Sequence, residues 1–231
     1  MEVRAIPGLE HLPWAEVWLH EPNEQLLEAA LQAARTLEKE GLEVWTTTKT
    51  PDVAPWLEGR GYQEVRRYVI SELDVAAADD PGPSRYEIVT LSDRPELAAT
   101  LYELARVAYP DQPGRRETRV DDEWYAWGLG AHTPEAYFVA LADDRVLGYG
   151  YLEEHDGTWS NGFMAVAPDA RGQGVAGAIK RAQITFARAH GIASLRTANE
   201  VRLTTMLDLN RRLGYVPLYE EIVLRSPLGK V

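Results

Sequence analysis

Six consecutive residues, Arg171-Gly172-Gln173-Gly174-Val175-Ala176, are the stretch of this chain best suited to chemistry. Glycines let backbone N–H groups approach a ligand closely, the arginine adds charge, and a helix starting directly after the loop points its positive end at the same place. Such a loop can hold a polyphosphate. A second set, Glu153, Glu154 and His155, ends a segment of strand alternation and offers a proton acceptor, working directly or through water. Alternation sends Glu153 and Glu154 to opposite faces, so at most one of them is expected to face a cleft.

Composition narrows the remaining chemistry. The chain of 231 residues has no cysteine, which excludes disulfides, thiolate zinc sites and thiol nucleophiles. Its five histidines show neither HxxxH nor HExxH spacing, so no metal is expected. With 36 acidic against 24 basic residues and a net charge of -12, a general nucleic-acid surface is not expected. An acidic field serves solubility, and it also suits a cationic ligand such as an amine. No apolar run approaches the roughly 20 residues that cross a bilayer, and residues 1–10 lack a basic start and an apolar core. A cytoplasmic protein without membrane contact is the expectation.

The elements that must position these residues alternate between strand and helix patterns. Strands are expected at 86–89, 136–141, 146–153, 163–166, 192–197 and 215–224, and helices at 94–108, 121–129, 175–190 and 204–212. Asp143-Asp144 reads as a hairpin turn and Gly191 as a left-handed helix end. Along the helix after the loop, Ala178, Ile179, Ala182, Phe186 and Ala189 mark the expected apolar face. Small residues, Pro and Gly at 76–85 read as a linker.

The first 75 residues repeat the second part in weakened form. Gly41 and Gly191 read as helix-ending glycines followed by strands, and Gly61-Tyr62 matches Gly214-Tyr215. This alignment sets Glu21-Pro22-Asn23-Glu24 opposite Arg171-Gly172-Gln173-Gly174. A proline removes a donor, and two carboxylates repel a pyrophosphate. The first unit is therefore expected to bind no polyphosphate, and to serve packing or to cover a substrate cleft.

The segment 163–176, with Val166-Ala167-Pro168 before Arg171-Gly172-Gln173-Gly174-Val175-Ala176 and Leu213-Gly214-Tyr215 downstream, resembles the signature of the GNAT superfamily of N-acetyltransferases. The resemblance spans residues 86–228. It implies an α/β fold with a mixed sheet, the acyl-CoA N-acyltransferase (GNAT) fold: a truncated, degenerate unit at 1–75, the linker at 76–85 and a complete domain at 86–231. The tandem arrangement is similar to that of mycothiol-synthase-like members. Acetyl-CoA is the implied acyl donor and an amine the implied acceptor, with no metal, in a monomer or homodimer.

The resemblance also implies roles. Arg171, Gly172, Gln173, Gly174, Val175 and Ala176 would hold the pyrophosphate, and the backbones of Met164 and Val166 would pair with the pantetheine arm. The Val166 N–H would donate to the thioester oxygen as that oxygen gains charge. Asn199 and Asn210 match a subgroup pattern and are carried as donor-binding candidates. Asn210 stands where many relatives have a tyrosine that protonates the departing thiolate, and Leu203 where many have an asparagine. Asn210 cannot be that acid; its other reading is an amide that satisfies buried backbone.

Glu153 and Glu154 are the candidate bases, with solvated hairpin-end carboxylates as the plain alternative. Tyr109, Trp124, Tyr125, Trp127, Tyr149 and Tyr151 form an aromatic set that suits an apolar or cationic acceptor or core packing equally well. Glu117 and Asp121-Asp122-Glu123 could attract an amine or simply suit a helix start. The expected chemistry is direct attack of an amine on the thioester. The competing readings are a non-catalytic acyl-CoA-binding module and a structural protein in which the glycine loop is only a turn.

Overall fold

Short turns shape the antiparallel part of the sheet. In the computed structural model, which describes residues 12–80, 82, 84–112 and 133–227, Asp143 and Asp144 both have positive φ (48° and 60°), as do Asp156 and Gly157 (50° and 76°). This geometry matches the twist of the strands it joins. The strands are β5 (Tyr137–Ala142), β6 (Arg145–His155) and β7 (Thr158–Val166). They continue a nine-stranded mixed sheet with β1 (Trp14–Trp18), β2 (Gly41–Thr47), β3 (Gln63–Asp74), β4 (Glu87–Thr90), β8 (Ser194–Glu200) and β9 (Val216–Pro227), in the order β1-β2-β9-β3-β8-β7-β6-β5-β4. The described helices are α1 (Glu24–Thr36), α2 (Val53–Glu58), α3 (Ala98–Ala108), α4 (Val175–Ala189) and α5 (Thr204–Arg212). The expected mixed α/β fold is present; the helix expected at 121–129 lies outside the described residues.

From the end of α1 onward, elements of the first part recur in the second at one shift, Thr36 matching Ala189, Gly41 matching Ser194 and Gln63 matching Val216. The ends of α1 and α4 correspond, as do β2 and β8, and β3 and β9. Gly61 and Gly214 both take positive φ (85° and 92°), and Tyr62 and Tyr215 behind them are both buried. The sequence alignment is corrected by three residues, which places Trp18-Leu19-His20-Glu21, rather than Glu21-Pro22-Asn23-Glu24, opposite Arg171-Gly172-Gln173-Gly174. The left-handed residue after α1 is Glu38 (φ 55°), the counterpart of Gly191 (φ 68°), whereas Gly41 opens β2. Lys39 N–H donates to Ala34 O just as Ile192 N–H donates to Ala187 O, so the same helix end is closed without a glycine.

Each part lends its last strand to the other. β3 pairs with β8 on one side and β9 on the other, while β9 also pairs with β2. The cores follow the exchange. Leu73 and Val75 pack with α4, Leu195 and Tyr215, and Ile222 and Leu224 pack with α1, α2 and β2. A third cluster sets Leu101, Ala105 and Ala108 of α3 against Tyr137, Val139 and Tyr149 on the opposite face of β5 and β6.

Candidate active site

A parallel pair that separates opens the sheet at one place. β7 and β8 are in register only at Ser160 and Arg196, and then diverge toward Val166 and Glu200. In the first part the corresponding strands, β1 and β2, stay paired along the whole of β1. No groove can open between them.

The ladder with β6 decides what the gap exposes. Ala167 N–H donates to Leu147 O at 2.8 Å, and pairs alternate along an antiparallel ladder. Ala165, opposite Tyr149, therefore turns its polar backbone to β6, while Met164 and Val166, opposite Gly150 and Gly148, turn theirs to the gap. Arg171 Nε reaches the Val166 carbonyl there at 3.2 Å. Just before Met164 the register shifts by one residue. At this bulge sits Gly162, where an added Cβ would lie 2.0 Å from the Tyr151 ring.

At the wide end of the gap is the glycine loop. Gly172 and Gly174 have φ of 74° and 84°, a region that L side chains rarely adopt. Gly174 precedes α4, and no side chain caps the first turn of that helix. By contrast, α1 is capped internally, with Asn23 Oδ1 accepting from Leu26 N–H at 3.0 Å. The donors of α4 thus face outward.

Two cavities meet along Met164. The larger, about 680 Å³, runs from Arg171, Gly172, Gly174, Val175 and Ala176 past Val166 to α5. Arg171, Arg181, Arg202 and Arg212 line it together with one acid, Asp111, in a chain of net charge -12. Asp111 holds Arg171 at 2.7 Å and Glu200 holds Arg202 at 2.6 Å. Gln173 is turned back, its Nε2 donating to Asp169 O at 2.8 Å. The smaller cavity, about 300 Å³, shares Gln112, Phe163, Met164, Leu203 and Met206 and extends to Glu153, Tyr151, Asn161, Lys180, Asn199 and Tyr68.

The two candidate bases separate as strand alternation requires. Glu153 is partly buried in the smaller cavity with His155 Nε2 3.9 Å away, and burial raises its carboxyl above the usual range, partly offset by His155. Glu154 instead accepts from Gly157 N–H at 2.5 Å, closing the hairpin turn. Asn199 lines the smaller cavity, and Asn210, buried behind it, donates from Nδ2 to Asn199 Oδ1 at 2.6 Å. Tyr109 and Tyr151 line the same cavity, while Tyr149 is fully buried beside Phe163. Trp124, Tyr125, Trp127, Glu117 and Asp121-Asp122-Glu123 lie outside the described residues.

Tyr68, Gln112, Asn161, Lys180 and Glu200 line the smaller cavity and escaped the sequence reading. Tyr68 comes from β3 and is stacked on Trp45 with ring centroids 5.6 Å apart. Lys180 is buried on α4, and so is Gln183 one turn later. The face that α4 buries holds Ala178 and Ile179 of the expected stripe, with Ala182 and Phe186 packed against the core, and is widened by Ile184 and Ala187, whereas Ala189 is exposed. A lysine three residues from a glutamine and four from an isoleucine on one face was the available signal.

Residues 98–215 match the profile of the acetyltransferase (GNAT) family. The chain belongs to this family. No curated protein matches it, but several solved GNAT structures share its architecture. A GCN5-related N-acetyltransferase from Sphaerobacter thermophilus superposes with a TM-score of 0.72 at 18% identity, covering 98% of this chain and 76% of that one. A tandem GNAT protein from the clavulanic acid biosynthesis pathway gives 0.71 at 18% identity, over 95% of this chain and 77% of its own. A GCN5-related N-acetyltransferase from Kribbella flavida gives 0.61 at 16%, over 93% and 81%. At such identities the likeness is one of fold. Among the described residues of this GNAT protein, no helix is long and apolar enough to cross a membrane.

Proposed function

We propose that this GNAT protein transfers an acetyl group from acetyl-CoA to the amine of a small acceptor by direct attack, without a covalent enzyme intermediate. The observation that carries this reading is the gap between β7 and β8, which joins an arginine-lined cleft to a cavity holding Glu153. Acetyl-CoA supplies the activated acyl group. The open N–H groups at the start of α4 and the four cleft arginines suit its phosphates. In this reading Arg171, Gly172, Gln173, Gly174, Val175 and Ala176 form the phosphate loop, and the Met164 and Val166 backbones hold the pantetheine arm. The Val166 N–H polarises the thioester oxygen.

Glu153 is the base in this account. Its raised affinity for protons suits removal of a proton from an ammonium near neutral pH, whereas Glu154 belongs to the turn. Asn210 acts through Asn199, fixing the amide that borders the acceptor. The first 75 residues are an internal repeat that binds no donor, because its strands stay paired and its helix is capped from within. Its β3 instead furnishes Tyr68 to the cavity. On this proposal the segment 76–85 joins two repeats that share one sheet.

A thiol-release assay with acetyl-CoA and a panel of primary amines tests the reading. Acceptor-dependent release is expected from the wild type, with loss of about 100-fold or more in Glu153→Gln. No release above background hydrolysis with any amine would leave only a CoA-binding protein.

A further inference from the structure

Lys180 is an expensive residue in this fold. It is only 2% exposed and reaches the wall of the smaller cavity from α4. Its Nζ donates to Asn161 Oδ1 at 3.0 Å and lies 4.8 Å from the centre of the Tyr215 ring. The Tyr215 hydroxyl donates to the same Oδ1 at 2.7 Å, and Asn161 Nδ2 donates to Gln183 Oε1 at 2.9 Å. None of these groups carries negative charge, and Lys180 makes no ion pair among the described residues.

A buried ammonium without a counter-ion is costly, and packing does not require it. The counterpart of Lys180, with the ends of α1 and α4 aligned at Thr36 and Ala189, is Leu27, equally buried on α1. The same helix in the same fold thus accepts leucine at this position. What distinguishes the second copy is the cavity, where Lys180 is the single basic side chain among the described lining residues and Glu153 is an acid of the same wall. Burial pushes the Lys180 ammonium down to about 7. An anion placed beside it would restore the charge and remove that penalty.

We propose that the acceptor is a small amino acid, its carboxylate held by Lys180 and its amine presented to Glu153, in a cavity of about 300 Å³. This rests on the acetyltransferase reading above. A single positive charge suits a monoanion. The second charge of a phosphate dianion would have no cation to meet and would face Glu153, whereas Glu200 on the same wall is paired with Arg202.

The test compares L-amino acids with their decarboxylated amines, such as leucine with isopentylamine and phenylalanine with phenethylamine, in wild type and Lys180→Met. The wild type is expected to favour the carboxylated member of at least one pair by about 10- to 100-fold in kcat/KM, and Lys180→Met to erase that preference mainly through KM. Preference for the decarboxylated amines, turnover of no amino acid, or an unchanged preference in Lys180→Met would each overturn the proposal. The rise in melting temperature with acetyl-CoA, measured on the same samples, shows that the variant folds and separates two failures. A normal rise without carboxylate preference removes this inference alone; no rise in the wild type removes the donor site as well.

Discussion

Burial lowers the Lys180 ammonium from its ordinary 10.5 to about 7, so between those values the unfolded chain binds a proton that the folded chain resists. The resulting penalty is absent above pH 10.5, grows as pH falls and is complete below 7. Lys180→Met is therefore expected to be more stable than wild type by about 1–4 kcal/mol at pH 7, with the gap narrowing toward pH 10. Urea unfolding at pH 7 and pH 9.5 checks this, and equal stability at both would contradict the burial argument. Glu153 shifts the other way. Its carboxyl is raised above the ordinary 4.5, chiefly by desolvation, and only the ionised form accepts a proton. The acid limb of kcat/KM should fall at a pH above 4.5 and be missing in Glu153→Gln, as pH–rate profiles would show. Residue chemistry made the glycine loop and Glu153 legible in the sequence, since φ requirements and strand alternation are local. Lys180 was hidden because it shares a helix face with Ile184 and Ala187, a setting in which pattern reading expects only apolar residues.

At the scale of elements, opposite charges mark the exchange of β3 and β9. Glu43 on β2 stands opposite Arg225 on β9, and Arg196 on β8 stands opposite Glu72 on β3. Arg225 Nε donates to Glu43 Oε1 at 2.9 Å, and Arg196 Nε to Glu72 Oε2 at 2.8 Å. Under the internal repeat these two pairs are equivalent with their signs reversed. Had each part kept its own last strand, Glu43 would face Glu72 and Arg196 would face Arg225. Like charges across a ladder are destabilising, so these two pairs favour the exchanged order by about 1 kcal/mol or less each. The two sites should respond unequally. Glu43 is buried between Arg66 and Arg225, and Arg225→Glu is expected to cost about 3–5 kcal/mol. Arg196 and Glu72 are partly exposed, and Glu72→Arg should cost about 1 kcal/mol. Urea midpoints of the two variants would reveal this asymmetry, and similar losses would argue against it. Helix and strand positions were readable from periodicity, but strand order was not, because hydrophobic alternation does not name a strand's neighbour.

For the whole molecule, the exchange of β3 and β9 ties the first and second parts of the chain into one sheet. Leu73 and Val75 complete the core around α4, while Ile222 and Leu224 complete the core around α1. Neither repeat closes its sheet alone. A single thermal transition is expected, and Leu224→Ala, in the core around α1, should reduce stability by about 2–5 kcal/mol without producing a second step. Two resolved transitions in calorimetry would show that the parts unfold separately. From the sequence, two related parts and a break at 76–85 are expected. Their interleaving was beyond it, since the partners of β3 and β9 lie more than a hundred residues away in the chain.

The donor site is where the account stands or falls, and thermal unfolding with and without acetyl-CoA, in wild type and Gly174→Glu, probes it most directly. Acetyl-CoA at about 100 times its dissociation constant should add about 2.7 kcal/mol to the wild type, a rise of roughly 5–10 °C. In Gly174→Glu a carboxylate at the start of α4 and a side chain at φ 84° should abolish the rise. No rise in wild type, or an equal rise in both proteins, would contradict the placement of the donor against the glycine loop.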